Sequence, residues 1–137
     1  MDAGFEILGH TADVGIRAWG PSPERAVEQA GWGLAEILGA VATGPGRPHP
    51  IEADGTDVGA LVVAFLDELL FLHETEEAAF AAIRVDRVED TAAVGEVELA
   101  PLEGEPDGTA VKAATYHQLR VHTEQDGRTE ITVYLDV

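Results

Sequence analysis

The segment from Val58 to Leu72, VGALVVAFLDELLFL, constrains the fold of this chain more than any other. Its apolar residues Val58, Leu61, Val62, Phe65, Leu66, Leu69, Leu70 and Leu72 cover more than one helical stripe. A helix that is apolar on more than one side needs partners on more than one side, so this is the central core helix. Asp67 and Glu68 interrupt it, and it is too short and too charged to span a membrane. Asp57 is its expected N-cap. It runs to about His73, where Glu74-Thr75-Glu76-Glu77 ends it or forms a solvated turn. A length of 137 residues suits one domain around one core.

A second helix precedes it in SPERAVEQAGWGLAEILGAV. Ser22 is a good N-cap, Pro23 a good first helical residue, and Glu24 lies where the dipole favours an acid. Val27, Ala30, Leu34, Ile37, Leu38 and Val41 form one stripe. Gly31 and Gly33 cost helix stability, which points to close packing there. Gly39 begins the exit. ATGPGRPHP reads as a loop, and IEADG as a short strand after it.

The other segments have strand patterns. FEILGH and VGIRAWG open the chain. AAIRVDRVED and TAAVGEVELAP alternate after the core helix, and LEGEPDGTA is a polar connection. VKAATYHQLRVHTE and RTEITVYLDV flank Asp126-Gly127, a hairpin signal. In the last strand Ile131, Val133, Leu135 and Val137 share one face, and Thr132, Tyr134 and Asp136 the other. The expectation is a single α+β domain over residues 1–137. It is a two-layer sandwich of two helices on a mixed, largely antiparallel sheet of six or seven strands.

Charge narrows the function. Twenty-six acids against eight Lys and Arg give a net charge of −18. A phosphate backbone repels such a surface, so strong direct nucleic-acid binding is not expected. A basic protein partner or divalent cations suit it better, although most of the acids need do no more than keep the surface soluble. No basic-then-apolar run opens the chain, so no signal peptide is expected. The absence of cysteine excludes thiolate chemistry and Cys-based zinc sites, and fits a reducing cytosol. No GxGxxG, Walker, HExxH or GxSxG motif is present.

Three places carry ordered reactive residues. The first is His10-Thr11-Ala12-Asp13, where Asp13 is either a turn aspartate or a metal ligand. The second is VKAATYHQL, with Lys112, Thr115, Tyr116 and His117. Strand alternation puts Thr115 and His117 on one face and Lys112 with Tyr116 on the other, unless a bulge intervenes. Lys112 is either a solvent-facing strand lysine or a partner for a phosphate or carboxylate. The third is the C-terminus, where Asp136 stands beside the free carboxylate of Val137. Asp is depleted in strands, and adjacent anionic oxygens repel unless a cation joins them. Oxygen ligands of this kind suit calcium, magnesium or manganese.

HTADVGIRAWG, LVVAFLDELLFL, VKAATYHQL and the terminal LDV, in this order and spacing, resemble the archease family across essentially the whole chain. The resemblance implies a cytoplasmic protein that is not itself an enzyme. Its partner is an RtcB-type RNA ligase of tRNA splicing and RNA repair, which uses GTP and manganese and forms a guanylylated histidine. The implied activity is to promote that guanylylation and multiple turnover. By the same resemblance Asp13 and Asp136 form a divalent-metal site, with Val137 as a helper, and Lys112 contributes to activation. His10 and His117 are candidates for supporting those ligands. Where the family often has Trp-Leu-Asn-Glu-Leu-Leu in the middle helix, this chain has Phe65-Leu66-Asp67-Glu68-Leu69-Leu70. Other readings are an acidic chaperone or scaffold and a metal-dependent phosphoesterase. The metal reading requires the strand ending at Asp136 to lie beside the segment carrying Asp13.

Overall fold

The computed structural model describes residues 2–9 and 13–137. Eight strands and two helices follow in the order β1 (Gly4–Gly9), β2 (Val14–Gly20), α1 (Pro23–Leu38), β3 (Arg47–Asp54), α2 (Val58–Thr75), β4 (Ala78–Val88), β5 (Ala92–Pro101), β6 (Ala113–Ala114), β7 (Arg120–Thr123) and β8 (Thr129–Asp136). The α+β class and the two helices are as expected, but the strands number eight and form two sheets. One sheet runs β1-β2-β8-β6, with β7 also on β8, and the other runs β3-β5-β4. Every strand pair is antiparallel, and a single parallel bridge joins Val41 to Phe80.

Both helices bridge the two sheets. α1 packs on β2, β8 and β4, and α2 packs on β3, β4, β5, β6 and β7. This is why α2 is apolar on more than one side: Leu61, Val62, Phe65, Leu66 and Leu69 are all buried to within 1 %. The Asp57 side chain accepts from the Ala60 N–H at 2.8 Å and starts α2 as the sequence implied. Ser22 does the same for α1 through the Arg25 N–H. Gly39, at φ 70°, ends α1 in the left-handed cap that favours glycine. The close packing expected of α1 is real, since a Cβ on Gly33 would lie 2.8 Å from Ile16 Cγ2 of β2.

Two local expectations change. The loop predicted through Pro50 is already strand from Arg47, with Pro48 and Pro50 inside β3. Proline is tolerated there because β3 is an edge strand, pairing with β5 alone. The single strand expected from Val111 to Glu124 is broken into β6 and β7. Ala113 faces Asp136 and Thr115 donates to the Tyr134 carbonyl, yet Arg120 faces Thr132. Residues 116–119 therefore stand opposite Val133 alone and loop out of the sheet edge. Gln118 takes φ 54°, and the Leu119 N–H closes the turn on the Tyr116 carbonyl.

The free edge of β4 is covered by α1. Glu28 accepts from the Val85 N–H, Glu24 accepts from the Val88 N–H, and Arg25 donates to the Val85 carbonyl. Exposed edge groups invite pairing with another chain, and these side chains occupy them. Burial pushes the Glu28 carboxyl above its ordinary range, partly offset by the Val85 hydrogen bond and by Arg25.

Candidate functional site

β8 occupies the middle of its sheet and is sequence-distant from β2, which it pairs in the register Val14↔Leu135, Gly15↔Tyr134, Ile16↔Val133 and Arg17↔Thr132. Its inner residues Ile131, Val133 and Leu135 are buried in the core. Its outer residues Thr132, Tyr134 and Asp136 face away from that core, as the alternation required. One step beyond Val14↔Leu135, the register carries Asp13 toward Asp136. The two line one cleft of about 270 Å³ with Thr115, His117, Tyr134 and Leu135. Asp13 and Asp136, far apart in sequence, therefore share one cleft.

Each wall of this cleft has a local cause. Gly15 has no side chain, and the Tyr134 ring lies across it: a Cβ there would sit 2.7 Å from Tyr134 Cε1. Thr115 is fixed at the edge of β8, since both its N–H and its hydroxyl donate to the Tyr134 carbonyl at 2.9 Å. The Thr115 hydroxyl also accepts from the His117 N–H. The His117 ring meets Tyr134 edge-on, with centroids 6.4 Å apart. The outward loop at residues 116–119 is what brings His117 over the cleft, so simple strand alternation does not describe this segment.

Lys112 does not line the cleft. Its side chain is exposed, and its N–H donates to the Asp136 carbonyl at 2.8 Å, the last rung beside the carboxylate. Val137 follows Asp136, is 37 % exposed, and is not part of the cleft wall. His10 and Thr11 lie outside the described residues. Asp67 has a part that its sequence position did not reveal: its Oδ1 accepts from the Ala114 N–H at 2.8 Å, tying α2 to β6. An asparagine would offer the same acceptor oxygen, so the change from the family's usual residue retains this contact. Tyr134 was visible in the sequence only as one member of an outward-facing row.

The chemistry of this donor set fits a hard cation. Two carboxylates with hydroxyl oxygens nearby and open access for water meet the needs of an ion that keeps several waters. Among the described residues, no group of three or more His, Cys, Asp or Glu side chains is gathered for metal binding. Farther along the same face, Arg17 bonds Glu130 and Glu6 and lies 5.0 Å over the Trp19 ring. The Glu130 hydrogen bond raises the Arg17 pKa against the effect of burial.

Fold and site together define a small acidic α+β domain with a two-aspartate cleft where the start of β2 meets the end of β8. The chain matches the Archease protein family (MTH1598/TM1083) over residues 5–137 and belongs to that family. It is 38 % identical over 133 residues to the protein archease of Thermococcus kodakarensis, covering 90 % of this chain and 92 % of the relative. It is 34 % identical over 140 residues to that of Danio rerio, covering 97 % and 85 %. The solution structure of Methanobacterium thermoautotrophicum protein 1598 superposes with a TM-score of 0.70 at 30 % identity, covering 98 % of this chain and 99 % of that one. The crystal structure of an archease from Thermotoga maritima, described as a possible chaperone, has the same fold at a TM-score of 0.66 and 22 % identity, covering 96 % of each chain. Among the described residues no helix is long and apolar enough to cross a membrane.

Proposed function

We propose that this protein is the activating partner of an RtcB-type, GTP-dependent RNA ligase in the cytoplasm, and that it promotes guanylylation and multiple turnover of that ligase in tRNA splicing and RNA repair. Family membership supports the class of activity, and the observation that carries the site is the shared cleft of Asp13 and Asp136. In this proposal the two carboxylates hold a calcium, magnesium or manganese ion. When bound, that ion supplies concentrated positive charge to phosphate oxygens. Asp13 and Asp136 position it, the Tyr134 ring and Thr115 shape its surroundings, and His117 stands at the rim as a proton donor or acceptor. Lys112 adds a mobile cation beside Asp136 for an anionic group of the partner. The net charge of −18 fits docking on a basic RNA-handling surface better than holding RNA directly.

The test is the guanylylation rate of the cognate ligase with purified wild-type protein, Asp136→Ala and Asp13→Ala. The wild type should accelerate guanylylation, and each variant should lose most of that effect while keeping its fold. Full activation by Asp136→Ala would refute the metal-site mechanism. A second reading, an acidic chaperone, draws on the description of the Thermotoga relative and on the exposed Phe71 and Tyr116 side chains. It predicts that Asp13 and Asp136 matter no more than other surface acids.

A further inference from the structure

We propose that the cleft lined by Gln118, Leu119, Arg120, Thr132 and Tyr134 is a binding site for a phosphate group. It holds about 430 Å³ and shares Tyr134 with the aspartate cleft beside it. The argument begins with how this chain uses its few cations. Six of the eight basic residues are committed: Arg17, Arg25, Arg47, Arg84, Arg87 and Arg128 each pair with a carboxylate. Among the described residues only Lys112 and Arg120 make no ion pair. With 26 acids available, an unpaired arginine is a departure from the pattern of the whole surface.

Arg120 also stands where no acid reaches it by design of the sheet. None of the five residues lining the cleft is acidic. Its cross-strand neighbour on β8 is Thr132, and on the other side of Thr132 lies Arg17. Of the two acids on that face of β8, Asp136 stands four residues away at the strand's end, and Glu130 is taken by Arg17 through both carboxylate oxygens. The Arg120 guanidinium is thus left with donors suited to paired acceptor oxygens, next to the Thr132 hydroxyl and the Gln118 amide. Planar guanidinium donors and hydroxyls are the groups that recognise phosphate oxygens. Gln118 adds an independent sign, since it holds φ 54° at the cleft wall. A non-glycine residue in that region is uncommon, and such residues concentrate at ligand sites.

The site stands on this geometry whether or not the ligase reading holds. The ligand is a phosphate group, either of a nucleotide or free in solution, and the two sources separate by experiment. Backbone amide NMR spectra of the full-length protein are recorded while inorganic phosphate or a nucleoside triphosphate is added at constant ionic strength. Saturable shifts confined to Gln118, Leu119, Arg120 and Thr132 are expected. Saturation by both probes at similar concentrations identifies free phosphate as sufficient, and saturation by the nucleotide alone identifies a nucleotide phosphate. Arg120→Gln should weaken binding at least tenfold, as expected for losing one charge-assisted contact (about 1.4 kcal/mol). Its spectrum elsewhere should match the wild type, showing an intact fold. Arg128→Gln, which removes an arginine already paired with Asp126, should change affinity little. The absence of saturable shifts with either probe overturns the proposal. Equal weakening by Arg128→Gln and Arg120→Gln also overturns it, because the effect would then be general charge.

Discussion

Replacing Asp67 by alanine tests whether the core helix positions the site. The Asp67 carboxylate accepts from the Ala114 N–H at 2.8 Å, across 47 residues of sequence. β6 is two residues long and otherwise rests on its pairing with β8. Hydrogen bonds to a charged partner contribute about 1.5–3 kcal/mol, and neutral ones about 0.5–1.5 kcal/mol. In Asp67→Ala the local opening of β6 should become easier by the first amount, so amide exchange at Ala114 should accelerate roughly 10- to 150-fold. Lys112, whose N–H bonds the Asp136 carbonyl, should follow it, whereas the amides of β5 should be unaffected. Asp67→Asn keeps an acceptor oxygen and should accelerate Ala114 less than about tenfold. Hydrogen exchange of both variants, read residue by residue, decides the matter. Unchanged exchange at Ala114 in the alanine variant would refute the tie. Uniform acceleration over the whole protein would also refute it, because Asp67 would then support the fold and not β6.

Gly15→Ala puts a Cβ 2.7 Å from Tyr134 Cε1 and should cost about 1–3 kcal/mol in urea unfolding, with Tyr134 displaced from the cleft in the near-ultraviolet spectrum. An unchanged midpoint would show that the ring yields without cost. Glu28 gives a pH-dependent test. Burial raises its carboxyl pKa, so the folded state holds the proton more tightly than the unfolded chain. The resulting penalty is absent below the unfolded pKa of about 4.3 and grows as pH rises through the raised folded value. Glu28→Gln removes that penalty and retains an acceptor for Val85, so relative to wild type it should gain stability between acid and neutral pH. Glu28→Ala leaves the buried Val85 N–H without its partner and should cost about 1–3 kcal/mol across that range in the same unfolding measurements.

Periodicity made most of the fold legible. The apolar residues of α2, the caps at Ser22 and Asp57, and the alternation of β8 are all local signals, and each survives in the structure. The division into two sheets was not legible, because it depends on which strands pair and not on any one strand's pattern. The strand of Arg47–Asp54 was hidden by its prolines, which are read as loop unless the segment is known to lie at an edge. In the same way, nothing local in ATYHQL forces the loop at residues 116–119. Gln118 at φ 54° is held by its surroundings, since its own type does not demand that conformation. The proximity of Asp13 and Asp136 became an expectation through resemblance, and the β2–β8 register gives it a physical basis.

The charge that interrupts α2 connects these observations. Asp67 interrupts the apolar run of α2, and in the folded protein it reaches out to the Ala114 N–H. β6 pairs with β8 at Asp136 and Leu135, and Lys112 extends that pairing by one bond to the Asp136 carbonyl. The other side of β8 is paired with β2, beginning beside Asp13. The last residues of a domain are poorly ordered unless they are tied down. Here the end of β8 is paired on both edges, and one of those partners is tied to the buried helix. Leu135 is buried, and the neighbouring Asp136 side chain projects from the opposite face. The placement of a carboxylate one residue from the chain end thus inherits its order from the core, through Leu135 beneath it and Asp67 beside it.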